Sequence, residues 1–175
     1  MDLVIKELGI EDKNSFLEAI QQVWEPDFIT AFYFKDLAKS NYENYLEILK
    51  HAKSGINIPK EHVPSTNLFA FNPSTKMIGR VSIRHELNDF LQEIGGHIGY
   101  VVDPNYRNQG VATKLLKAAL DYSKKNLGLK KVLLTCDEDN LASEKVIVNN
   151  GGIFENLREA CAISPTRKKR FWINL

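Results

Sequence analysis

Apolar and polar positions change their period several times along the chain, and each change marks an element. LVIKEL near the start reads as a short strand, after which Phe16, Leu17, Ile20, Val23 and Trp24 recur at helical spacing until Pro26 interrupts them. Ala38, Tyr42, Tyr45, Leu46 and Leu49 form the apolar stripe of a second helix, expected from about Lys35 to Lys53 with Ser54-Gly55 as its stop. INIPKEHVPST, with its prolines, reads as an irregular connector. From Asn67 the period drops to that of a strand. NLFAF, a turn at Asn72-Pro73-Ser74 and MIGRVSIRHEL predict a hairpin in which Gly79, Val81 and Ile83 face one way and Arg80, Ser82 and Arg84 the other.

A loop, NDFLQEIGG, leads into the strand HIGYVV, which Asp103-Pro104 closes. The helix that follows carries Ala112, Leu115, Leu116 and Ala119 on one stripe and ends near Asn126-Leu127-Gly128. KKVLLTC is a short, nearly unbroken apolar run of the kind found in a strand covered on both faces. Strand, helix and strand across Gly96 to Cys136 thus make a parallel crossover unit. Asn140 then caps a short helix, and strands of about Ile153 to Ile163 and Lys169 to Leu175 finish the chain. The predicted fold is α/β (mixed α+β): one mixed sheet of about six to seven strands, antiparallel early and parallel in the middle, with helices on both faces.

With 175 residues, 43% of them hydrophobic, and a net charge of +1, the chain can bury the core of one domain spanning 1–175 and shows no basic footprint for nucleic acid. Its tight basic run, Arg167 to Arg170, reads as a solvated hairpin turn, with a phosphate contact as the alternative. Cys136 and Cys161 have no CxxC or Cys/His partner at metal spacing and cannot build a disulfide framework, so no metal is expected and a reducing, cytoplasmic setting is. The N-terminus MDLVIKELGIEDK is acidic where a signal peptide is basic, and no stretch approaches the roughly 18 apolar residues of a membrane span, so no membrane partner is expected. Oligomeric state is open, a homodimer included.

Candidate chemistry concentrates in YVVDPNYRNQGVATKLL, Tyr100 to Leu116. The turn after a central parallel strand, at the start of its crossover helix, presents backbone N–H groups outward, and the helix dipole there favours an anion. Gly110 and Ala112 keep bulky side chains off that backbone, and Arg107 adds a charge-assisted donor. These residues suit a phosphate; taken bare, they suit a plain tight strand-to-helix turn equally. GxxxxGK[ST] does not occur, and Gly95, Gly96 and Gly99 lie before or inside the strand, so they give no GxGxxG. HExxH and GxSxG are absent as well.

VVDPNYRNQGVATKLLKAAL resembles the acyl-CoA-binding signature of the GNAT N-acetyltransferase superfamily, a valine-rich strand, a proline-containing turn and Gln/Arg-x-x-Gly-x-Gly/Ala opening a helix. Arg107, Gly110 and Ala112 stand at its three fixed positions. KKVLLTCDEDNLASEKVIVNNGGIFE looks like the family's next strand, its asparagine-started helix and its Gly-Phe element, so the specific part of the likeness runs from about Gly96 to Glu155. With GGHIGY before the signature and TCDEDN after it, the chain looks most like bacterial members. The resemblance implies a central parallel strand pair splayed around acetyl-CoA. It implies that the pyrophosphate rests on the N–H groups of Gln109, Gly110, Val111, Ala112 and Thr113, beside Arg107 and Asn108. The pantetheine arm would run along the backbone of Tyr100, Val101 and Val102, close to Asn140 and Ser143. An amine, whether a small molecule, a peptide N-terminus or a lysine, would attack the thioester directly in a ternary complex, with the N–H of Val101 or Val102 steadying the oxyanion. A non-catalytic acyl-CoA-binding or sensing module is the alternative, and a nucleotide-binding domain, lacking the P-loop lysine, is a third reading.

Acyl transfer needs a neutral amine, and an alkylamine has a pKa near 10, so something must accept a proton. Relatives often place a glutamate around the position of Gly96 or His97. His97 is the first choice of base here because imidazole titrates near neutral pH, and Glu93 in the preceding loop is the second. A sheet histidine satisfied by a neighbour is the other reading of His97. Alternation would put His97 on one face with Gly99 and Val101. The family's acid, a tyrosine seven residues beyond the asparagine, falls on Ile147 and is absent. Tyr100, Tyr106, Ser143 or a water are the substitutes, unless the thiolate, with a thiol pKa of about 8.5, leaves unprotonated.

Overall fold

The computed structural model describes residues 2–21 and 34–175. Val23, Trp24 and Pro26, expected to extend and end the first helix, lie outside them. The chain runs β1 (Val4–Lys6), α1 (Lys13–Gln21), α2 (Lys35–Ser40), α3 (Tyr42–Ser54), β2 (Ser65–Phe71), β3 (Met77–Arg84), β4 (Ile98–Val102), α4 (Val111–Leu127), β5 (Lys131–Asp137), α5 (Leu141–Asn149), β6 (Ile153–Arg158) and β7 (Lys168–Asn174). The single helix expected over Lys35 to Lys53 is two. Asn41, at φ −149° and ψ 86°, breaks it, and its side chain accepts the Asn44 N–H at 3.0 Å, so the residue that ends α2 caps α3.

β1, β2, β3 and β4 pair antiparallel in that order, and β5, β7 and β6 form a second antiparallel sheet. The expected single mixed sheet is therefore split at its parallel pair. β4 and β5 meet at one end only, where the His97 N–H donates to the Leu133 carbonyl at 2.7 Å and the Leu133 N–H donates to His97 Nδ1 at 2.9 Å. Among the described residues no ladder joins the two strands beyond that point.

Helix α4 holds the split sheet together. Its Val111, Leu115, Leu116 and Ala119 pack on Val81, Ile83, Ile98 and Val102 of the first sheet and on Val132, Leu134, Phe171 and Ile173 of the second. Fully buried Leu115 and Leu116 contribute about 1.5–3 kcal/mol each by transfer. The helix comes so close that a Cβ on Gly79 would lie 2.8 Å from Leu115 Cδ1. On the other face of the first sheet, Phe16, Tyr42 and Tyr45 pack on Phe69 and Val101, the Phe16 and Tyr45 rings stacking at 5.1 Å.

The basic run departs from its expected form. Lys168, Lys169 and Arg170 open β7, the central strand of its sheet, and so are flanked by neighbours on both sides. Lys168 pairs with Asp137, Lys169 with Glu144 at 2.7 Å, Arg170 with Glu155 at 3.1 Å and Arg167 with Glu138 at 2.5 Å. The preceding strand is also shorter than expected, ending at Arg158. Among the described residues no helix is long and apolar enough to cross a membrane.

Candidate active site

Past its junction with β5, β4 runs into a tightly ordered turn. Buried Asp103 accepts the Asn105 N–H at 2.9 Å and so caps a short 3-10 turn, Pro104–Tyr106. Gln109 then folds its amide back onto the Asn105 carbonyl at 3.1 Å. Two left-handed residues, Asn108 at φ 59° and Gly110 at φ 77°, swing the chain into α4. Gly110 occupies the cap position without a side-chain cap, and its carbonyl accepts the first helical bond, from the Lys114 N–H at 3.1 Å. The N–H groups of Val111, Ala112 and Thr113 precede that bond and have no acceptor within the helix. A Cβ at Gly110 would meet nothing within 4 Å, so the approach to these donors is open. Exposed Arg107 stands at the lip. A diphosphate fits this donor set and the positive end of the helix dipole.

The mouth between β4 and α5 is spanned by one side chain. The Tyr100 hydroxyl lies 2.9 Å from Ser143 Oγ and donates to the Ser143 carbonyl at 3.3 Å, while Asn140 caps the same helix by accepting the Ser143 N–H at 3.0 Å. Burial pushes the Tyr100 phenol up to about 12, with the Ser143 hydrogen bond opposing it. Ile147 is fully buried in the core, and a Cβ on Gly152 would come within 2.4 Å of its Cγ2, so apolar packing occupies the position of the missing acid. The Tyr106 hydroxyl accepts from Asn72 Nδ2 at 3.3 Å and is engaged by the turn between β2 and β3.

A cavity of about 640 Å³ opens on the other side of β4. Its floor is the polar face of the predicted hairpin, Arg80, Ser82 and Arg84, with Asn67 beside them and Gly99, Tyr100 and Val101 at its β4 edge. Tyr45, Ile48 and Leu49 of α3 form an apolar wall, and Glu61, His62 and Asp89 come from the loops. Arg80 is held by Asn67 Oδ1, 3.1 Å from Nε and 2.7 Å from Nη2. Arg84 Nη1 donates to the Gly95 carbonyl at 3.1 Å and lies over Gly99, where a Cβ would sit 3.2 Å from it. Sequence reasoning found the polar strand face and the apolar stripe that carries Tyr45 but singled out none of Glu61, His62 and Asp89, whose positions depend on how loops fold over the sheet.

The two candidate bases go elsewhere. His97 is 6% exposed, does not line the cavity, and packs edge-on to Trp172 at 6.3 Å. Its Nδ1 lone pair is occupied by the Leu133 N–H, so the neutral ring carries its hydrogen on Nε2 and has no second lone pair to offer. Burial, with Arg84 nearby, pushes its pKa down to about 4. That geometry speaks for the sheet-histidine reading and against His97 as the base. The expected alternation fails there because His97 precedes β4 and follows Gly96 at φ 62°. Glu93 sits in a π-turn, Leu91–Gly95, with its carboxylate 2.6 Å from Arg158 Nη2 of β6. The structure thus brings Tyr100, Asn140 and Ser143 together, builds the turn from Arg107 to Thr113 next to them along β4, and sets His97 and Glu93 at the opposite end of the strand.

A split parallel pair followed by an uncapped glycine turn is the geometry that the sequence resemblance implied. The acetyltransferase (GNAT) domain family matches residues 2–153. The chain belongs to the GNAT acetyltransferase family. This GNAT chain is 33% identical over 75 residues to the uncharacterized N-acetyltransferase YnaD of Bacillus subtilis (strain 168), a stretch that covers 41% of the chain and 44% of that relative, so the match spans less than half of the relative's length. Among solved structures, the ribosomal-protein-S5-alanine acetyltransferase of Vibrio fischeri superposes with a TM-score of 0.71 at 17% identity, over 99% of this chain and 93% of that one. A GNAT-family acetyltransferase of Bacillus anthracis gives 0.68 at 19% identity, covering 99% and 95%. A variant of the spermidine N-acetyltransferase of Vibrio cholerae gives 0.62 at 18% identity, covering 98% and 93%. At such identities the likeness is one of fold, and this GNAT fold includes both halves of the split sheet.

Proposed function

We propose that this GNAT domain is an acetyl-CoA-dependent N-acetyltransferase acting on a primary amine. One observation carries the reading: the uncapped start of α4 and the cavity of about 640 Å³ open onto the same strand, β4, one along its course and the other beside it. Acetyl-CoA would supply an activated acetyl thioester. Arg107, Asn108 and the N–H groups of Gln109, Gly110, Val111, Ala112 and Thr113 hold its diphosphate. The edge of β4 that faces away from β3 offers backbone at Tyr100, Val101 and Val102 to the amide-bearing arm, in the manner of an added strand. A strand N–H, that of Val101 or Val102, steadies the developing oxyanion, and Asn140 keeps α5 in place beside the arm.

The acceptor amine enters the cavity, where Glu61, His62 and Asp89 are the groups positioned to take its proton. The fold neighbours' names, spermidine N-acetyltransferase and ribosomal-protein-S5-alanine acetyltransferase, point to amines of quite different size, in keeping with an acceptor that is a small amine, a peptide N-terminus or a lysine. Cys136 and Cys161 are free thiols, which suits a reducing, cytoplasmic setting. The buried Ile147 favours one second reading, an acyl-CoA-binding module without turnover.

Thermal melting and CoA release test both. Acetyl-CoA at a hundredfold excess over its Kd should stabilise the fold by about 2.7 kcal/mol, and an amine panel should reveal continuous CoA release. Stabilisation by ATP but not by acetyl-CoA would sink the proposal, whereas acetyl-CoA binding with no release across the panel would favour the module.

A further inference from the structure

We infer that Tyr100 is a catalytic residue, whose phenolic O–H donates to the sulfur of the departing thiolate in place of the acid that Ile147 cannot supply. The inference rests on the acetyltransferase reading. Its geometric basis is that Tyr100 belongs to both halves of the site. The residue lines the acceptor cavity, and its hydroxyl crosses from β4 to the first turn of α5, 2.9 Å from Ser143 Oγ. A thioester lying along β4 beneath the first turn of α5 would pass this hydroxyl on its way to an amine in the cavity.

Of the other described phenols, three are held by hydrogen bonds elsewhere. Tyr42 donates to the Gly9 carbonyl at 3.1 Å, Tyr106 accepts from Asn72 at 3.3 Å, and the Tyr122 hydroxyl meets Thr66 at 3.2 Å. Tyr45 is stacked on Phe16 at 5.1 Å, on the α3 wall of the cavity. Helix α5 offers no phenol of its own, since the Ile147 side chain is locked in the core beneath Gly152. Tyr100 reaches that helix from the strand instead.

Ser143 sets the direction of the donor. When Ser143 Oγ–H donates to the phenol oxygen, the phenolic hydrogen can leave its long 3.3 Å bond to the Ser143 carbonyl and turn toward the cleft, and the serine stabilises any charge left on that oxygen. Burial holds the phenol protonated, pushed up to about 12. In the reaction the amine nitrogen bonds to the acyl carbon and the C–S bond breaks with its electron pair going to sulfur. The amine gives one proton to a cavity base and so to solvent; sulfur receives one through Tyr100, which is reprotonated from solvent. Because a simple thiol has a pKa of about 8.5, most of the effect is a hydrogen bond to developing charge, with proton transfer following departure.

Tyr100→Phe keeps the ring and removes only the donor. Its kcat at saturating acetyl-CoA and amine should fall about 10- to 100-fold, while the KM for acetyl-CoA stays within about threefold. Calorimetry supplies a readout independent of turnover. The wild type should bind CoA more tightly than desulfo-CoA, and Tyr100→Phe should lose that preference, because the contact to sulfur is gone. Ser143→Ala should lower kcat less, by about 3- to 10-fold, since the phenol survives. Wild-type turnover in Tyr100→Phe, an undiminished preference for CoA in that variant, or a loss confined to Ser143→Ala would each overturn the inference while leaving the acetyltransferase reading intact. If the wild type neither binds acetyl-CoA nor releases CoA, that reading falls and the role of Tyr100 with it.

Discussion

The two ends of β4 are built from similar material and do opposite things. At its start, Gly96, His97 and the π-turn before them are tied to the second sheet: His97 bonds Leu133 twice, Thr135 Oγ1 donates to the Ile94 carbonyl, and Glu93 pairs with Arg158. At its far end Asp103 and Gln109 bond within their own loop and leave the first N–H groups of α4 pointing outward. A parallel pair can open at one end only if the other is held shut. The difference teaches that titratable residues on such a strand divide by which end they occupy, the closed end using them as fasteners and the open end presenting backbone.

The sharpest way to break this asymmetry is at Gly96. A Cβ there would lie 2.6 Å from the Leu133 carbonyl oxygen and 3.2 Å from Leu134 Cα, with the backbone at φ 62°. Gly96→Ala combines a backbone clash with left-handed strain and should cost about 3 kcal/mol or more by urea unfolding. A loss below about 1 kcal/mol would mean that the junction yields and is no fastener.

His97 gives the next effect, through pH. Its pKa falls from 6.5 to about 4 in the fold because burial disfavours the cation. Between those values the unfolded chain binds the proton and the folded one does not, so stability falls as pH falls, and the contribution is lost in full below about 4. A shift of that size is worth about 3 kcal/mol. His97→Gln can still accept the Leu133 N–H but cannot titrate. Urea unfolding at pH 7 and pH 4.5 should show the wild type losing more stability than the variant, the difference isolating His97 from the carboxylates that titrate alongside. Equal losses would show that the imidazole is not buried at a closed junction.

At the open end the same glycine-to-alanine change should be mild for folding. Nothing lies within 4 Å of a Cβ on Gly110, so Gly110→Ala carries only the cost of φ 77°, about 1–2 kcal/mol. Acetyl-CoA should then raise the melting temperature less than in the wild type, since the strained turn no longer presents its donors in register. A variant that unfolds as readily as Gly96→Ala would erase the contrast between the ends.

Much of the open end was legible in the chain because its signals are local. Glycine after a proline-bearing turn, then Leu115, Leu116 and Ala119 at helical spacing, place α4 and its uncapped start without knowledge of anything distant. The split of the sheet was legible only through the family resemblance and not from the residues themselves, since Val132, Leu133 and Leu134 read as a covered strand whether β4 pairs along it or leaves it after one residue. His97 misled for a related reason. Period-two alternation assigns a face only within a strand, and behind the left-handed Gly96 the strand begins at Ile98, one residue too late for His97 to be counted. The cavity acids Glu61 and Asp89 come from loops that pattern alone could not fold over the sheet. Asn41 shows the same limit in a helix: an apolar stripe continuous across it concealed a break made by one side-chain bond.

Glu93 is the smallest test and sharpens the comparison at its least buried point. Its carboxylate meets Arg158 at 2.6 Å, but both side chains are near half exposed, at 47% and 42%. Exposed pairs contribute about 0.2–1 kcal/mol and weaken with salt. Glu93→Gln should therefore lose no more than that at low ionic strength, with the loss shrinking in about 1 M salt as screening removes what the pair supplied. Its turnover should match the wild type, because a carboxylate fastened to β6 at the closed end does not face the amine. If CoA release instead collapsed in Glu93→Gln while stability held, the carboxylate would have to leave Arg158 and reach the cavity, and chemistry would extend to the end of β4 that the hydrogen bonds hold shut.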